Sequence, residues 1–342
     1  MRLVRAWTRE RGAQLARLSR TGAVAASLVM LAAGCHVPGA SAGRPVGSQQ
    51  ITVAVVPGFA NAPLQVAVQD GLFSRRHLDV TVQTYQTLQQ AFAALTSGQA
   101  DVISGDYAGL LYAQAHDPRV RLRLIADGYD ASPGVMEVLT LPGSAITAPQ
   151  DLQGKTVATP PRELAPFSAD APYNVETLTA ESVLQSDSVS PSSVLWTAMP
   201  PGDLVTALGD HQVSAIVATQ PYILQAETQL GAVELFDVCS GVTADLPLSG
   251  YFTTAPFAGT HAASLRGFRS ALNAAKASTA QLGTVRSALG TLPGMSAREA
   301  ALVTVGQYPT FLSAGQVQRV ADLMYGTGMI RTTIPLKSLV LR

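Results

Sequence analysis

The stretch Ala94-Leu-Thr-Ser-Gly-Gln-Ala-Asp-Val-Ile103 reads as helix, polar turn and buried strand, and the chain repeats it. Ala207-Leu-Gly-Asp-His-Gln-Val-Ser-Ala-Ile216 lies over it at an offset of 113, with Ala, Leu, Gln and the final Ile coinciding. One grammar used twice predicts two similarly built α/β lobes.

Working outward from the first copy, Ile51-Thr-Val-Ala-Val-Val56 is a buried-strand pattern stopped by Pro57-Gly58. Residues 63–72 place Leu64, Ala67, Val68 and Leu72 on one helical face. Strands are predicted over 78–82, 100–103 and 121–126, and helices over 88–96 and 109–115. Such short links between alternating elements argue for parallel βαβ units. Around the second copy, strands are predicted over 155–158, 193–196 and 215–217, with helices over 175–185 and 204–209. After Gly250 one extended piece (251–254) precedes helices over 262–280, 297–306 and 314–326, and residues 334–339 read as a tail docked on one lobe. Leu265, Phe268, Leu272 and Ala275 form an apolar stripe expected to face a core.

The N-terminus is of another kind. Six arginines and one acid precede an apolar run, Ala23 to Ala33, too short for a bilayer span of about 20 residues. A basic region, a short apolar region and small residues mark residues 1–34 as a secretory signal peptide. Ala32-Ala-Gly34 run into Cys35, which resembles a bacterial lipobox, so Cys35 is the expected lipidation site; Leu31 stands four residues before it rather than three. Residues 35–49, rich in Gly, Ser, Ala and Pro, read as a flexible spacer. The expected product is exported and lipid-anchored on the outer face of the cell membrane.

Without its leader the chain carries 17 basic residues against 22 acids, which leaves no electrostatic footprint for nucleic acid. Cys239 is the other cysteine and reads as a small buried hydrophobe. The five histidines are scattered without zinc-ligand spacing; the Gly-x-Ser-x-Gly match at Gly39–Gly43 falls in the spacer and not at a strand-to-helix elbow, and no phosphate loop occurs. No catalytic residue, metal or cofactor is expected.

Five pieces in order carry a resemblance. Pro63-Leu-Gln-Val-Ala-Val-Gln-Asp-Gly-Leu-Phe73, His77-Leu-Asp-Val80, Ala91–Val102, Asp151-Leu-Gln-Gly-Lys-Thr-Val157 and Ala215-Ile-Val-Ala-Thr-Gln-Pro-Tyr222 resemble ABC-transporter solute-binding proteins of the alkanesulfonate, nitrate and thiamine-precursor type. The resemblance implies a type II periplasmic-binding-protein fold, with two α/β lobes around a ligand cleft. Lobe 1 is expected over 50–138 and 250–342, and lobe 2 over 139–249. It also implies a monomer that captures a small molecule and delivers it to an ABC permease. An exported enzyme or a ligand sensor on the same scaffold is the alternative.

In such sheets ligands sit beyond the carboxyl ends of strands, at helix N-termini. That rule selects Phe59, Tyr85, Tyr107, Tyr129, Tyr173 and Tyr222 as aromatic candidates. It selects Asn61, Gln86, Thr159, Asn174 and Gln220 as orienting groups, and Asp106 as a counter-charge to a cation. Arg162 is the one basic residue in these loops, so a neutral or weakly cationic ligand is expected over a sulfonate or nitrate. Two departures from the family bear on ligand identity. The segment after Ala158 is long and holds four prolines, and the first loop lacks the pattern of the pyrimidine-binding branch.

Overall fold

The helix–turn–strand unit that the sequence repeats occupies the same position in each of two five-stranded sheets. The structure, a computed structural model, describes residues 48–117, 119–161, 174–292, 295–334 and 336–341. Pro45–Arg342 forms one compact unit. Its first part runs β1 (Gln49–Val55), α1 (Ala62–Gln69), β2 (Leu78–Thr84), α2 (Leu88–Ser97), β3 (Val102–Asp106), α3 (Tyr107–His116) and β4 (Leu122–Asp130). The second part holds β5 (Met136–Thr140), β6 (Thr156–Thr159), α4 (Val175–Ser186), β7 (Leu195–Ala198), α5 (Pro201–Gly209), β8 (Ala215–Thr219), α6 (Tyr222–Leu230) and β9 (Val233–Asp237). The chain then returns through β10 (Pro247–Thr254), α7 (Ala255–Thr260), α8 (Ala262–Thr279), α9 (Leu282–Leu289), α10 (Ala297–Leu302), α11 (Ala314–Gly326) and α12 (Leu336–Leu339).

The strand orders are β2-β1-β3-β10-β4 and β7-β6-β8-β5-β9, one plan used twice. The two copies of the sequence repeat are α2–β3 and α5–β8. Local chemistry sets their ends: Thr87 Oγ1 accepts the Gln90 N–H at 3.2 Å, and Gly98 closes α2 at φ 78°.

Three expectations need correction. The sheets are not all parallel, since β10 runs antiparallel to β3 and β4, and β5 antiparallel to β8 and β9. Both strands receive the chain directly from the other lobe, enter at the cleft edge and so run back against their neighbours. The lobe boundaries also move. The crossings lie between Asp130 and Met136 and between Asp237 and Pro247, so boundaries at 138/139 and 249/250 would each cut a strand. Finally, β5, β9, α6, α7 and α9 are additional elements. β5 is buried along its whole length, Glu137 included, and that charge breaks the apolar pattern by which a strand is read.

The first lobe's core lies between its sheet and α1 and α8, where Phe73 stacks on Phe268 at 5.0 Å between ring centres. The stripe Leu265, Phe268, Leu272 and Ala275 is fully buried there, each large apolar side chain contributing about 1.5–3 kcal/mol. A second apolar cluster belongs to both lobes. It runs from Leu110 and Leu111 of α3 through Leu178 and Leu184 of α4 to Val317, Val320 and Met324 of α11. The lobes are thus held on one side by packed helices and part on the other. The tail docks on β4, with the Leu341 N–H bonded to the Leu124 carbonyl at 2.9 Å.

Candidate ligand-binding cleft

A cleft of about 510 Å³ opens between the lobes. Lobe 1 supplies its wall from the β1–α1 loop (Phe59, Asn61), Gln86, the end of β3 (Ser104, Asp106), Tyr129 and the start of β10 (Leu248, Ser249). Lobe 2 supplies Met136, Pro160, Val175, Glu176 and the β8–α6 loop with Gln220 and Tyr222, and Met295 closes one side.

The acid Asp106 organises the floor. It is the N-cap of α3, its Oδ1 accepting the Ala108 N–H at 2.7 Å. Its Oδ2 accepts the Val175 N–H at 3.0 Å, at the first turn of α4 in the other lobe. That N–H is one of the orphan donors of a helix start, the place where an anionic ligand would otherwise bind. Asn174 Oδ1 satisfies the Thr177 N–H of the same turn at 2.8 Å. A protein carboxylate and a protein amide therefore already occupy the anion-attracting end of α4.

The model of the NMT1/THI5-like family matches residues 59–281. The chain belongs to that family. It is similar in fold to the periplasmic aliphatic sulphonate binding protein SsuA from Escherichia coli, with TM-score 0.67, 19% identity, and 84% of this chain and 96% of that one covered. The ligand-binding component of an ABC-type import system from Staphylococcus aureus gives TM-score 0.69 at 13% identity, over 86% and 97% of the two chains. The desulfurization enzyme DSZB shares the fold as well, at TM-score 0.62 and 13% identity over 84% and 95%. No curated protein matches in sequence.

Within this family fold, seven of the residues selected from sequence line the cleft: Phe59, Asn61, Gln86, Asp106, Tyr129, Gln220 and Tyr222. Tyr129 is held rigidly, its hydroxyl accepting the Gly306 N–H at 2.6 Å and its ring tilted against Tyr308. Asn61 donates to the Val56 carbonyl at 2.6 Å, while its Oδ1 has no partner among the described residues; Gln220 Oε1 and Ser249 Oγ are likewise buried and without a partner there. Four selected residues do not face the cleft. Tyr107 turns into the lobe 1 core, edge-on to Phe252, and donates to Asp127 Oδ1 at 2.8 Å. Thr159 is buried and paired with the Thr177 hydroxyl at 3.0 Å. Asn174 is a helix cap, and the Tyr85 hydroxyl bonds Gln83 Oε1 at 2.8 Å along the edge strand. Tyr173, Arg162 and Cys35 lie outside the described residues.

Leu248, Ser249 and Met136 escaped the sequence reading for one reason. β10 and β5 are antiparallel, so their amino ends open on the cleft, and a rule about carboxyl ends passes them by. Glu176 was hidden as an ordinary first-turn acid of α4; burial pushes its carboxyl above the usual carboxylate range.

No Lys, Arg or His is among the described residues that line the cleft. Among the described residues Lys276 of α8 is a buried cation, donating to the carbonyls of Asp127 and of Pro309. Burial lowers its pKa, and burial raises those of Asp127 and Asp130 beside it. This cluster is committed to joining α8 to β4.

Proposed function

We propose that this protein is the exported solute-binding component of an ABC importer, a monomer that takes a neutral or weakly cationic small molecule between its lobes. Family membership and fold support the binding role. The observation that carries the ligand class is Asp106 bridging to Val175: a carboxylate sits where an anionic ligand would need free donors, and Glu176 adds a second acid. Faces of Phe59, Tyr129 and Tyr222 suit a flat or cationic group. Residues 1–34 are the export signal and Cys35 the lipid anchor in this reading, with 35–49 as spacer and the two crossings as hinge. The helices α3, α4 and α11 stay packed while the open side closes on ligand.

A binder rather than an enzyme also fits the thiol chemistry. Cys239 is fully buried, and burial pushes its thiol up to about 12, away from nucleophilic use. Native mass spectrometry of the protein taken from its own compartment tests the reading. A co-purifying neutral or cationic small molecule, released unchanged on denaturation, is expected. A sulfonate, or a ligand turned over on incubation, contradicts it.

A further inference from the structure

Charge is divided unevenly between the lobes. Residues 131–246 carry 13 acids against 2 basic residues, whereas residues 48–130 and 247–342 carry 9 acids against 14. Within lobe 1 four arginines stand on two elements that touch. Arg75 and Arg76 occupy the turn before β2, and Arg266 and Arg269 lie one helical turn apart on α8. The two elements touch: Arg76 Nη2 donates to Ser270 Oγ at 3.1 Å, and the stem of Arg76 lies over Gly267. Arg269 donates to the Leu341 carbonyl at 3.2 Å. Arg75 and Arg266 are exposed and make no ion pair among the described residues. Leu78 of β2 faces α8, so strand alternation turns Asp79 to the opposite side of the sheet.

The same face is where the N-terminal chain joins the folded body. The Gln49 N–H donates to the His77 carbonyl at 2.9 Å, and the Ser264 hydroxyl of α8 donates to Gln49 Oε1. Gln49, the first residue of β1, therefore sits between the arginine-bearing turn and the arginine-bearing helix.

We propose that this face, centred on Arg75, Arg76, Arg266 and Arg269, is a docking surface for anionic phospholipid headgroups of the membrane to which the chain is tethered. It rests on the reading of the protein as exported and lipid-anchored. A tether of some dozen residues keeps the body close to the bilayer, and the arginines at its root decide which side turns down. Each basic side chain near an anionic surface strengthens binding roughly fivefold. Lobe 2, with a net charge of −11, is repelled from the same surface, so the molecule rests on lobe 1 with its cleft unobstructed.

The test uses the chain from residue 36, without Cys35 and hence without lipid, so that it reads the surface alone and not the anchor. It is sedimented with vesicles of phosphatidylcholine, with and without phosphatidylglycerol, at low and high salt. Expected are binding only to the anionic vesicles, loss at high salt, and a drop of roughly 25-fold in R75Q/R266Q. K155Q, which removes an exposed cation from lobe 2, should bind as the parent does. Both altered arginines are exposed and form no ion pair among the described residues, so melting curves should match the parent's. Equal binding to neutral vesicles, an unaffected R75Q/R266Q, or an equal loss in K155Q overturns the proposal. Failure here with Cys35-dependent membrane association intact would reject the surface and leave the anchor standing.

Discussion

Replacing Asp106 by Asn separates the two tasks of its carboxylate. Asn retains an oxygen to accept the Ala108 N–H, so the cap of α3 survives. Toward Val175 it presents an amide N–H₂ or nothing, and the bond between lobes at 3.0 Å is lost. A charge-assisted hydrogen bond to a backbone N–H contributes about 1.5–3 kcal/mol, and water entering the cleft recovers part of that. A net cost of about 1–2 kcal/mol is expected, which in a chain of this size lowers Tm by about 2–5 °C. Asp106→Ala should cost about 1 kcal/mol more, since it removes the cap as well. Differential scanning calorimetry on both variants gives the two numbers. The freed Val175 N–H should also allow a small anion such as nitrate to stabilise D106N while leaving the parent unchanged. Parent-like melting of D106N, or equal losses in the two variants, would refute the assignment of two separable bonds to this side chain.

Further expectations follow from single contacts. Glu137 is buried with Oε2 unpartnered, and burial, reinforced by Glu234, Glu227 and Asp237, pushes its carboxyl up to about 7. Its neutral form suits the fold, so stability is full below pH 4.5 and falls as pH rises through 7; with solvent screening, E137Q should gain about 1–2 kcal/mol at pH 8 and little at pH 5, read from denaturant midpoints. Tyr129→Phe leaves the Gly306 N–H without its acceptor and should cost about 1–3 kcal/mol, with faster amide exchange at Gly306; unchanged exchange would count against this bond. Cys35→Ala should release the exported protein from the membrane fraction, and retention there would reject the lipid anchor.

The lobes were legible because their signals are local. The repeat at Ala94 and Ala207 marks equivalent sheet positions, and the stripe on α8 faces the core as its spacing requires. What escaped depends on partners distant in sequence. Glu137 disguises a buried strand because its surroundings come from β8 and β9. Tyr107 and Thr159 stand at strand ends just as Tyr129 and Gln220 do, yet Asp127 and Thr177 draw them inward. Nothing in the residues beside them records that choice. The direction of β5 and β10 is equally hidden, since it follows from where the chain crosses between lobes. Asp106 stands at the end of β3 where a counter-charge for ligand would, and its second partner, Val175, lies 69 residues away on the other lobe.

A thermal-shift panel on the parent protein tests the central claim most directly, with small amines and aminopyrimidines in one arm and taurine-like sulfonates and nitrate in the other. A ligand present at 100 times its Kd stabilises the fold by about 2.7 kcal/mol, well above the resolution of the measurement. Stabilisation by at least one neutral or cationic compound and none by the anions is expected. Stabilisation by the sulfonates or nitrate alone would contradict it.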